Sequence, residues 1–214
     1  MKLHTFFRSS ASYRTRIALN LKQLPYEAVA VHLSKNGGEQ HSSEFQALNP
    51  QQLLPVLQDQ DEVFTQSLAI LEYLEERHPK PALLPDSTAG RARVRALSLM
   101  IACEIHPLNN LRVLQYLSEQ LRVDAAQKNS WYQHWVGLGL AALEKRLAQD
   151  AGTGRFCHGD TPGMADCCLV PQIYNAQRFE CDLSGFPTVM RIFDECMGLE
   201  AFAAAGPARQ FDAA

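Results

Sequence analysis

Hydrophobic positions in the first eighty residues alternate between the spacing of strands and the spacing of helices. Apolar stretches at 3–7 and 26–33 predict two strands. Between them, apolar residues recur at helical spacing from Tyr13 onward and predict a helix. The charged residues of that helix that we expect in solvent are Arg14, Arg16 and Lys22.

The rest of this region predicts a loop, a hairpin and a second helix. Residues 34–43 are rich in Gly, Ser, Gln and Asn, which favours a mobile loop. Two β-like triplets flank Asp59-Gln60-Asp61 and predict a hairpin. Ser67 then opens a helix whose acidic residues are expected to face outward: Glu72, Glu75 and Glu76. The order β-α-β-loop-β-β-α gives a compact unit on a mixed sheet.

The remainder of the chain has a helical pattern. His78-Pro79-Lys80-Pro81 ends the preceding helix, because proline cannot continue it. One apolar stripe runs from Val94 to Leu108, and the basic residues beside it are expected in solvent: Arg91, Arg93 and Arg95. The predicted domains are an α/β domain over 1–81, a linker over 82–87 and an all-α domain over 88–214.

Composition excludes several classes of function. The 20 basic and 23 acidic residues give a net charge of −3, and the pI is near 6.2, which argues against nucleic acid as a partner. No apolar run approaches the roughly 18 residues of a membrane span. The N-terminal residues do not resemble a signal peptide, so we expect a cytoplasmic protein.

The cysteines and arginines indicate which kinds of site the protein contains. The six cysteines form no Cys-x-x-Cys motif, so we expect reduced, buried thiols and no metal site. Of the 20 basic residues, 14 are arginines, whose planar guanidinium binds carboxylates well.

The segment Arg8-Ser9-Ser10-Ala11-Ser12 lies between the first predicted strand and the first helix. Serine in this place commonly caps the free amides of the helix. The same free amides and the helix dipole also favour an anion, and a hydroxyl aimed at a thiol stabilises the thiolate. Both interpretations stay open from the residues alone.

Three other short segments also admit a purely structural interpretation. Leu54-Pro55 precedes a strand and is a candidate cis peptide, although only about 5–6% of X–Pro bonds are cis. Ser67 suits the N-cap of the following helix, and Gln66 could be an ordinary surface residue. His106-Pro107 lies within an apolar stripe, where proline predicts a kink.

Together these segments resemble the zeta class of the glutathione S-transferases, over nearly the whole chain. The segments that carry the likeness are Phe7 to Arg14, Ala47 to Pro50, Leu54-Pro55, Gln66 to Leu74, His106 to Arg112, Gly159-Asp160, Ala165-Asp166 and Val170 to Gln172. Gln-Ser before a helix is shared across that superfamily, whereas the Ser-Ser-x-Ser opening is more specific to the zeta class. The resemblance implies a thioredoxin-like domain followed by an all-helical domain, and a homodimer.

The resemblance also implies roles for individual residues. Ser9 would stabilise the thiolate of glutathione, with Ser10 beside it at the helix N-terminus. The residues that would hold the rest of glutathione are Leu54 before a cis Pro55, Gln66, Ser67, Gln40 near the glycyl end and, from the helical domain, His106, Asn110 and Arg112. Arg8, Arg112 and Arg178 would hold the carboxylates of the substrate.

Two positions depart from the pattern of the family. Ala11 stands where the zeta motif often has cysteine, so any role of that thiol is absent. Gly163 stands three residues before Asp166, where the family usually has Ser or Thr. Glycine is a tolerable N-cap, so Asp166 can still complete a capping box, and we interpret this motif as structural.

The implied activity is the glutathione-dependent isomerisation of a cis-enone diacid, such as maleylacetoacetate, in aromatic amino acid catabolism. Thiolate addition would turn the double bond into a single bond, which rotates before the thiolate leaves. The alternatives are maleylpyruvate as substrate, a transferase that conjugates electrophilic or halogenated compounds, and a binding protein without activity. A disulfide oxidoreductase is disfavoured, because the segment after the first strand has no cysteine.

Overall fold

The computed structural model describes residues 1–213. Its strands are β1 (Lys2–Thr5), β2 (Glu27–Ala30), β3 (Val56–Asp59) and β4 (Glu62–Thr65). Its α-helices are α1 (Ser10–Leu21), α2 (Ser43–Leu48), α3 (Ser67–Arg77), α4 (Thr88–Leu99), α5 (Leu111–Glu119), α6 (Ala125–Gln149), α7 (Met164–Arg178), α8 (Pro187–Met197) and α9 (Glu200–Ala203). No helix among the described residues is long and apolar enough to cross a membrane.

The four strands form one mixed sheet in the order β2-β1-β3-β4. β1 is parallel to β2 and antiparallel to β3, and β3 and β4 form the predicted hairpin. β1 and β3 bury Leu3 and Leu57 completely, together with Ile17 of α1 and Ile70 of α3. The predicted α/β unit is confirmed. The predicted loop at 34–43 contains two short 3₁₀ turns, and α2 follows it as a helix that the sequence analysis did not predict.

The prediction that the charges of α1 face solvent is wrong. Arg14, Arg16 and Lys22 are all buried, at 2%, 0% and 4% exposure. The outward prediction for Glu75 in α3 is also wrong, since Lys22 Nζ lies 2.8 Å from Glu75 Oε2. Each of these charged groups makes at least one hydrogen bond, as buried charges in proteins generally do.

The described residues form two compact units, and the second ends before the end of the chain. The first unit comprises Met1–Leu83 and the segment from Gly198 onward, and the second comprises Leu84–Met197. The sequence assigned residues 198–214 to the helical domain. In the structure the segment from Gly198 belongs to the first unit, because α1 binds its backbone: Asn20 Nδ2 donates to Ala201 O at 3.0 Å and Arg16 Nε donates to Ala205 O at 3.0 Å.

Within the second unit, the predicted stripe from Val94 to Leu108 changes helix type instead of bending at one point. α4 ends at Leu99, a π-helical segment spans Met100–Ile105, and a 3₁₀ turn spans His106–Asn109. Pro107 lies in the first turn of that 3₁₀ segment, where its missing N–H costs least.

The second unit also contains a buried cap and a partly buried arginine. Asp166 accepts hydrogen bonds from the N–H groups of Gly163 at 2.8 Å and Cys157 at 2.9 Å, so the predicted capping box is confirmed. Burial raises the pKa of the Asp166 carboxyl, while these N–H donors oppose the rise. The solvent prediction for Arg93 is wrong, because it binds Asp150 Oδ2 at 2.7 Å and Cys157 O at 2.6 Å.

All six cysteines are free thiols in the structure. Four of them are buried: Cys157, Cys167, Cys168 and Cys196. Cys181 is half-buried and Cys103 is exposed, so the prediction of buried thiols fails at Cys103. Its position in the π-helical segment places it outside the apolar stripe, which runs through the buried Ile101 and Ile105.

Candidate functional site

The register of the sheet brings three predicted segments of the first unit to one edge. His4 near the end of β1 pairs with Val56 at the start of β3, and Val56 pairs with Thr65 at the end of β4. The segments that leave or enter the sheet here are the Arg8-Ser9 turn after β1, Leu54-Pro55 before β3 and Gln66-Ser67 after β4. Residues far apart in sequence therefore lie around a common edge.

Ser9 occupies the N-cap of α1. Its Oγ accepts a hydrogen bond from Ser12 N at 3.2 Å, and Ser10 begins the helix and is buried. A hydroxyl accepts through a lone pair while its proton stays available to a second partner. Capping and stabilisation of a nearby anion are therefore compatible at Ser9. The hydroxyl of Ser12, completely buried, has no hydrogen-bond partner within residues 1–213.

Arg8 is exposed and directly precedes Ser9. Its guanidinium carbon lies 4.9 Å from the ring centroid of Phe7 and 5.7 Å from that of Phe6. Stacking on an aromatic face limits the directions in which the guanidinium points and leaves its N–H groups for an acceptor. The structure records no ion pair for Arg8 within its described part. The position thus offers a cation beside the Ser9 hydroxyl.

The Leu54-Pro55 peptide is cis, as the sequence suggested it could be. Upstream, the side chain of Asn49 donates to Leu53 O at 2.7 Å and closes the preceding turn. Among residues 1–213 the backbone N–H of Leu54 makes no hydrogen bond. A backbone N–H group needs an acceptor, so this unpaired N–H is available to the carbonyl oxygen of a peptide-like ligand.

The N-terminus of α3 differs from those of five other helices of the structure. Side chains cap the first turns of five helices at Ser9, Ser42, Ser87, Asn110 and Asp124. At α3 the N-cap is Gln66, not Ser67 as the sequence suggested, and its side chain makes no cap hydrogen bond. Gln66 Nε2 donates instead to Gln51 Oε1 at 2.7 Å.

Gln66 also has a left-handed backbone conformation, with φ at 66°. This region is uncommon for residues other than glycine, and such residues cluster at ligand-binding sites. Together with the lack of a side-chain cap, the conformation leaves the first amides of α3 for an anion such as a carboxylate.

Arg14 is the residue of this edge that sequence reasoning missed. It is buried in α1, and its Nη1 donates to Ser67 Oγ at 3.3 Å. A buried guanidinium thus lies against the first turn of α3 and adds positive charge there. The available signal was an arginine among the apolar residues of the same helix, a pattern that is also typical of a solvent-exposed side chain.

Gln40 is buried at 6% exposure in the 3₁₀ turn Glu39–His41. Its Nε2 lies 3.0 Å from His41 Nε2, while its Oε1 has no hydrogen-bond partner within residues 1–213. A Cβ at Gly38 would lie 2.6 Å from Gln40 Nε2, so glycine is required for this side chain to keep its place. A buried acceptor without a partner is costly, which points to a donor from a ligand.

The remaining predicted residues lie in the second unit. His106 is half-buried at the start of its 3₁₀ turn, and Asn110 caps α5 by accepting from Arg112 N at 3.2 Å. Arg112 is exposed in the first turn of α5. Asn110 therefore has a structural role whatever else it binds.

Arg178 ends α7 on the surface of the second unit. Its guanidinium carbon lies 4.7 Å from the ring centroid of Phe179, and Phe179 stacks on Tyr132 with 3.8 Å between centroids. Burial raises the pKa of the Tyr132 phenol, so this ring stays neutral. Arg178 thus resembles Arg8 in being an exposed cation on an aromatic neighbour.

Among the described residues there is no group of three or more His, Cys, Asp or Glu that could hold a metal ion.

Comparison with known proteins places this geometry in a family. The sequence profile of the glutathione S-transferase N-terminal domain matches residues 3–82. A protein of Vibrio cholerae named as a probable maleylacetoacetate isomerase is 52% identical over 211 residues, which cover 99% of this chain and 97% of that one. A solved maleylpyruvate isomerase, described as a bacterial glutathione S-transferase of the zeta class, is 50% identical with a TM-score of 0.97, and each chain is covered completely.

The chain belongs to the zeta-class glutathione S-transferases. The maleylacetoacetate isomerase of Methylobacterium extorquens AM1, solved with bound malonate and glutathione, is 42% identical with a TM-score of 0.96 over the full length of both chains. The predicted family and fold class, a thioredoxin-like α/β domain followed by helices, are therefore confirmed. This zeta-class chain keeps the serine opening, the cis-proline and the Gln-Ser helix start, and has Ala11 within the opening.

Proposed function

We propose that this protein is a glutathione-dependent cis–trans isomerase that converts maleylacetoacetate to its fumaryl isomer. The observation that carries the proposal is the sheet edge at which the Ser9 hydroxyl, the free Leu54 amide and the uncapped start of α3 lie together. Full-length relatives with this architecture are named maleylacetoacetate and maleylpyruvate isomerases, at 42–52% identity.

The residues of the first unit fit glutathione. A γ-glutamyl carboxylate suits the uncapped amides of α3 beside Ser67, which Arg14 supports with positive charge. The cysteinyl part suits the free N–H of Leu54, in the manner of a peptide paired to a strand. The unpartnered Oε1 of Gln40 suits a donor near the glycyl end. From the second unit, we propose His106, Asn110 and Arg112 as further contacts.

Bound glutathione supplies the thiolate that adds to the alkene, so that the former double bond can rotate before the thiolate is expelled. Ser9 stabilises that thiolate by donating its hydroxyl proton, while Ser10 and the following amides of α1 contribute the positive end of the helix dipole. Arg8, Arg112 and Arg178 hold the two carboxylates of the substrate with charge-assisted hydrogen bonds. Their charge also stabilises the enolate that forms on addition.

Maleylpyruvate is the second candidate substrate, and it is favoured by the structural match to a maleylpyruvate isomerase at a TM-score of 0.97. Both compounds are cis-enone diacids, so the same arginines serve either of them. We further propose a cytoplasmic homodimer that acts in aromatic amino acid catabolism, in agreement with the resemblance to the zeta class. No nucleic acid partner is proposed, since the net charge is −3.

An absorbance assay of the purified protein tests this proposal. Maleylacetoacetate and maleylpyruvate are each supplied with glutathione and without it, and the loss of the cis isomer is followed. We expect rapid isomerisation only when glutathione is present, with glutathione recovered unchanged. Consumption of glutathione would identify a conjugating transferase instead. Binding of glutathione without turnover would identify a binding protein, and turnover without glutathione would refute the proposal.

A further inference from the structure

The backbone of Phe7, two residues before Ser9, is held from both sides. Phe7 N–H donates to Asp212 Oδ2 at 2.9 Å, and Phe7 O accepts from Arg16 Nη2 at 2.9 Å. Arg8 and Ser9 follow directly along the chain. The orientation of the Arg8 and Ser9 side chains therefore depends on the position of the Phe7 peptide.

Arg16 is the inner half of this clamp. It is completely buried, and its guanidinium also donates to Thr5 Oγ1 at 3.0 Å, to Phe6 O at 3.3 Å and to Ala205 O at 3.0 Å. Burial lowers the pKa of Arg16 to about 10, while Tyr26, Asp212 and Tyr13 oppose that change. The guanidinium is therefore charged at neutral pH, and Asp212 supplies an opposite charge to it.

Asp212 is the outer half, and it comes from the far end of the chain. The segment from Gly198 is seated on α1 through Asn20, through Arg16 and through Tyr13, whose hydroxyl donates to Phe202 O at 3.3 Å. Further along this segment, the side chain of Gln210 donates to Ala204 O and Gly206 O, both at 2.9 Å. These contacts bring the Asp212 carboxylate to the turn that carries Arg8 and Ser9.

We infer that the Asp212 carboxylate is a positioning residue for Arg8 and Ser9, because it fixes the Phe7 peptide against the Arg16 guanidinium. The inference rests on the proposed function, in which Ser9 stabilises a thiolate and Arg8 binds a carboxylate. Displacement of such groups by about 1 Å costs up to roughly a hundredfold in rate. Through this carboxylate the C-terminal segment thus shapes the site.

The experiment compares Asp212→Ala and Asp212→Asn with the matched control Gln210→Ala. Gln210 anchors the same segment, but within residues 1–213 its side chain hydrogen-bonds only to residues of that segment. We expect Asp212→Ala to lower kcat for diacid isomerisation by about tenfold to a hundredfold. We expect it also to raise the pKa of the bound glutathione thiol, measured from the ultraviolet absorbance of the thiolate. Asp212→Asn keeps an acceptor without the charge, so the same changes should be smaller.

A structural anchor alone would lower Tm in all three variants and leave the thiol pKa unchanged. Values of kcat and thiol pKa in Asp212→Asn that equal those of the control would overturn the inference. This comparison still tests the inference if Asp212→Ala does not fold. The thiol titration needs only bound glutathione. A wild-type protein that binds glutathione but turns over no diacid would therefore defeat the proposed function, while the titration still tests Asp212.

Discussion

The ammonium of Lys22 lies 2.8 Å from the carboxylate of Glu75, with both side chains almost completely buried, at 0% and 6% exposure. The same ammonium donates to the carbonyl oxygens of His78 at 2.6 Å and Pro81 at 2.8 Å. Glu75 in turn accepts from the N–H of Leu83 at 2.8 Å. One ion pair thus joins α1, α3 and the segment that leaves α3.

Removal of one partner of this pair should destabilise the protein strongly. Lys22→Ala leaves the Glu75 carboxylate buried without its counter-charge, so we expect a loss of about 3–5 kcal/mol in the free energy of unfolding. The pair Lys2–Glu27 provides the control, since it is 3.7 Å apart and more than half exposed. Lys2→Ala should change stability by less than about 1 kcal/mol. Urea denaturation measures both, and equal effects would contradict the assignment.

This pair also shows where sequence reasoning fails. The strands, the hairpin and the start of α3 follow from alternation and turn residues, which are local properties. The burial of Lys22, Glu75, Arg14 and Arg16 depends on carbonyls and carboxylates that arrive from elsewhere in the chain. A helix with arginines among its apolar residues is consistent with either a solvated face or a polar core, and periodicity cannot separate them.

Mutation should separate two roles of Ser9, the N-cap of α1 and the stabilisation of the thiolate. Ser9→Ala removes a cap, so we expect a loss of about 1 kcal/mol in stability. If its hydroxyl also stabilises the thiolate, kcat should fall by about a hundredfold or more, and the pKa of the bound thiol should rise. Ser87→Ala is the matched control, because Ser87 caps α4 through Gly90 N at 3.1 Å. Equal kcat values in the two variants would leave Ser9 as a cap alone.

Only part of the candidate site could be predicted from the sequence, because short motifs are local and long-range contacts are not. Ser9, Leu54 and Ser67 belong to short sequence motifs, so a resemblance to a family identifies them from the residues next to them. The left-handed conformation of Gln66 at the uncapped start of α3 and the hydrogen bond from Arg14 to Ser67 depend on the three-dimensional geometry, which short sequence motifs do not reveal. Asp212 lies 205 residues from its partner Phe7 and belongs to no motif.

The thiols should differ sharply in reactivity. Burial raises the pKa of Cys157 and Cys167 well above the ordinary value, so their thiolates are scarce. Cys103 is exposed, and we expect it to react first with a disulfide reagent at neutral pH. Counting released thiolate should give one fast thiol, absent in Cys103→Ser, and six after denaturation without reductant. Fewer than six would reveal a disulfide that the structure does not contain.

Arg8 and Arg178 should determine which substrates are accepted. A hydrogen bond to a charged group contributes about 1.5–3 kcal/mol, so Arg8→Ala or Arg178→Ala should lower kcat/KM for a diacid by roughly tenfold to a hundredfold. Conjugation of glutathione to a neutral electrophile requires no carboxylate contact, so its rate should change much less. The ratio of the two rates in each variant is therefore the measurement.

Arg155 provides the matched control for both variants. It is an exposed arginine whose guanidinium carbon lies 5.7 Å from the ring centroid of Phe156, much as Arg8 and Arg178 lie on their own aromatic neighbours. Its charge is already paired with Glu195 at 2.8 Å, so Arg155→Ala should leave both rates unchanged. Equal losses of diacid and neutral-electrophile turnover in Arg8→Ala would show that Arg8 supports the thiolate rather than the substrate carboxylates. In that case the preference for diacids would have to come from Arg112 and Arg178.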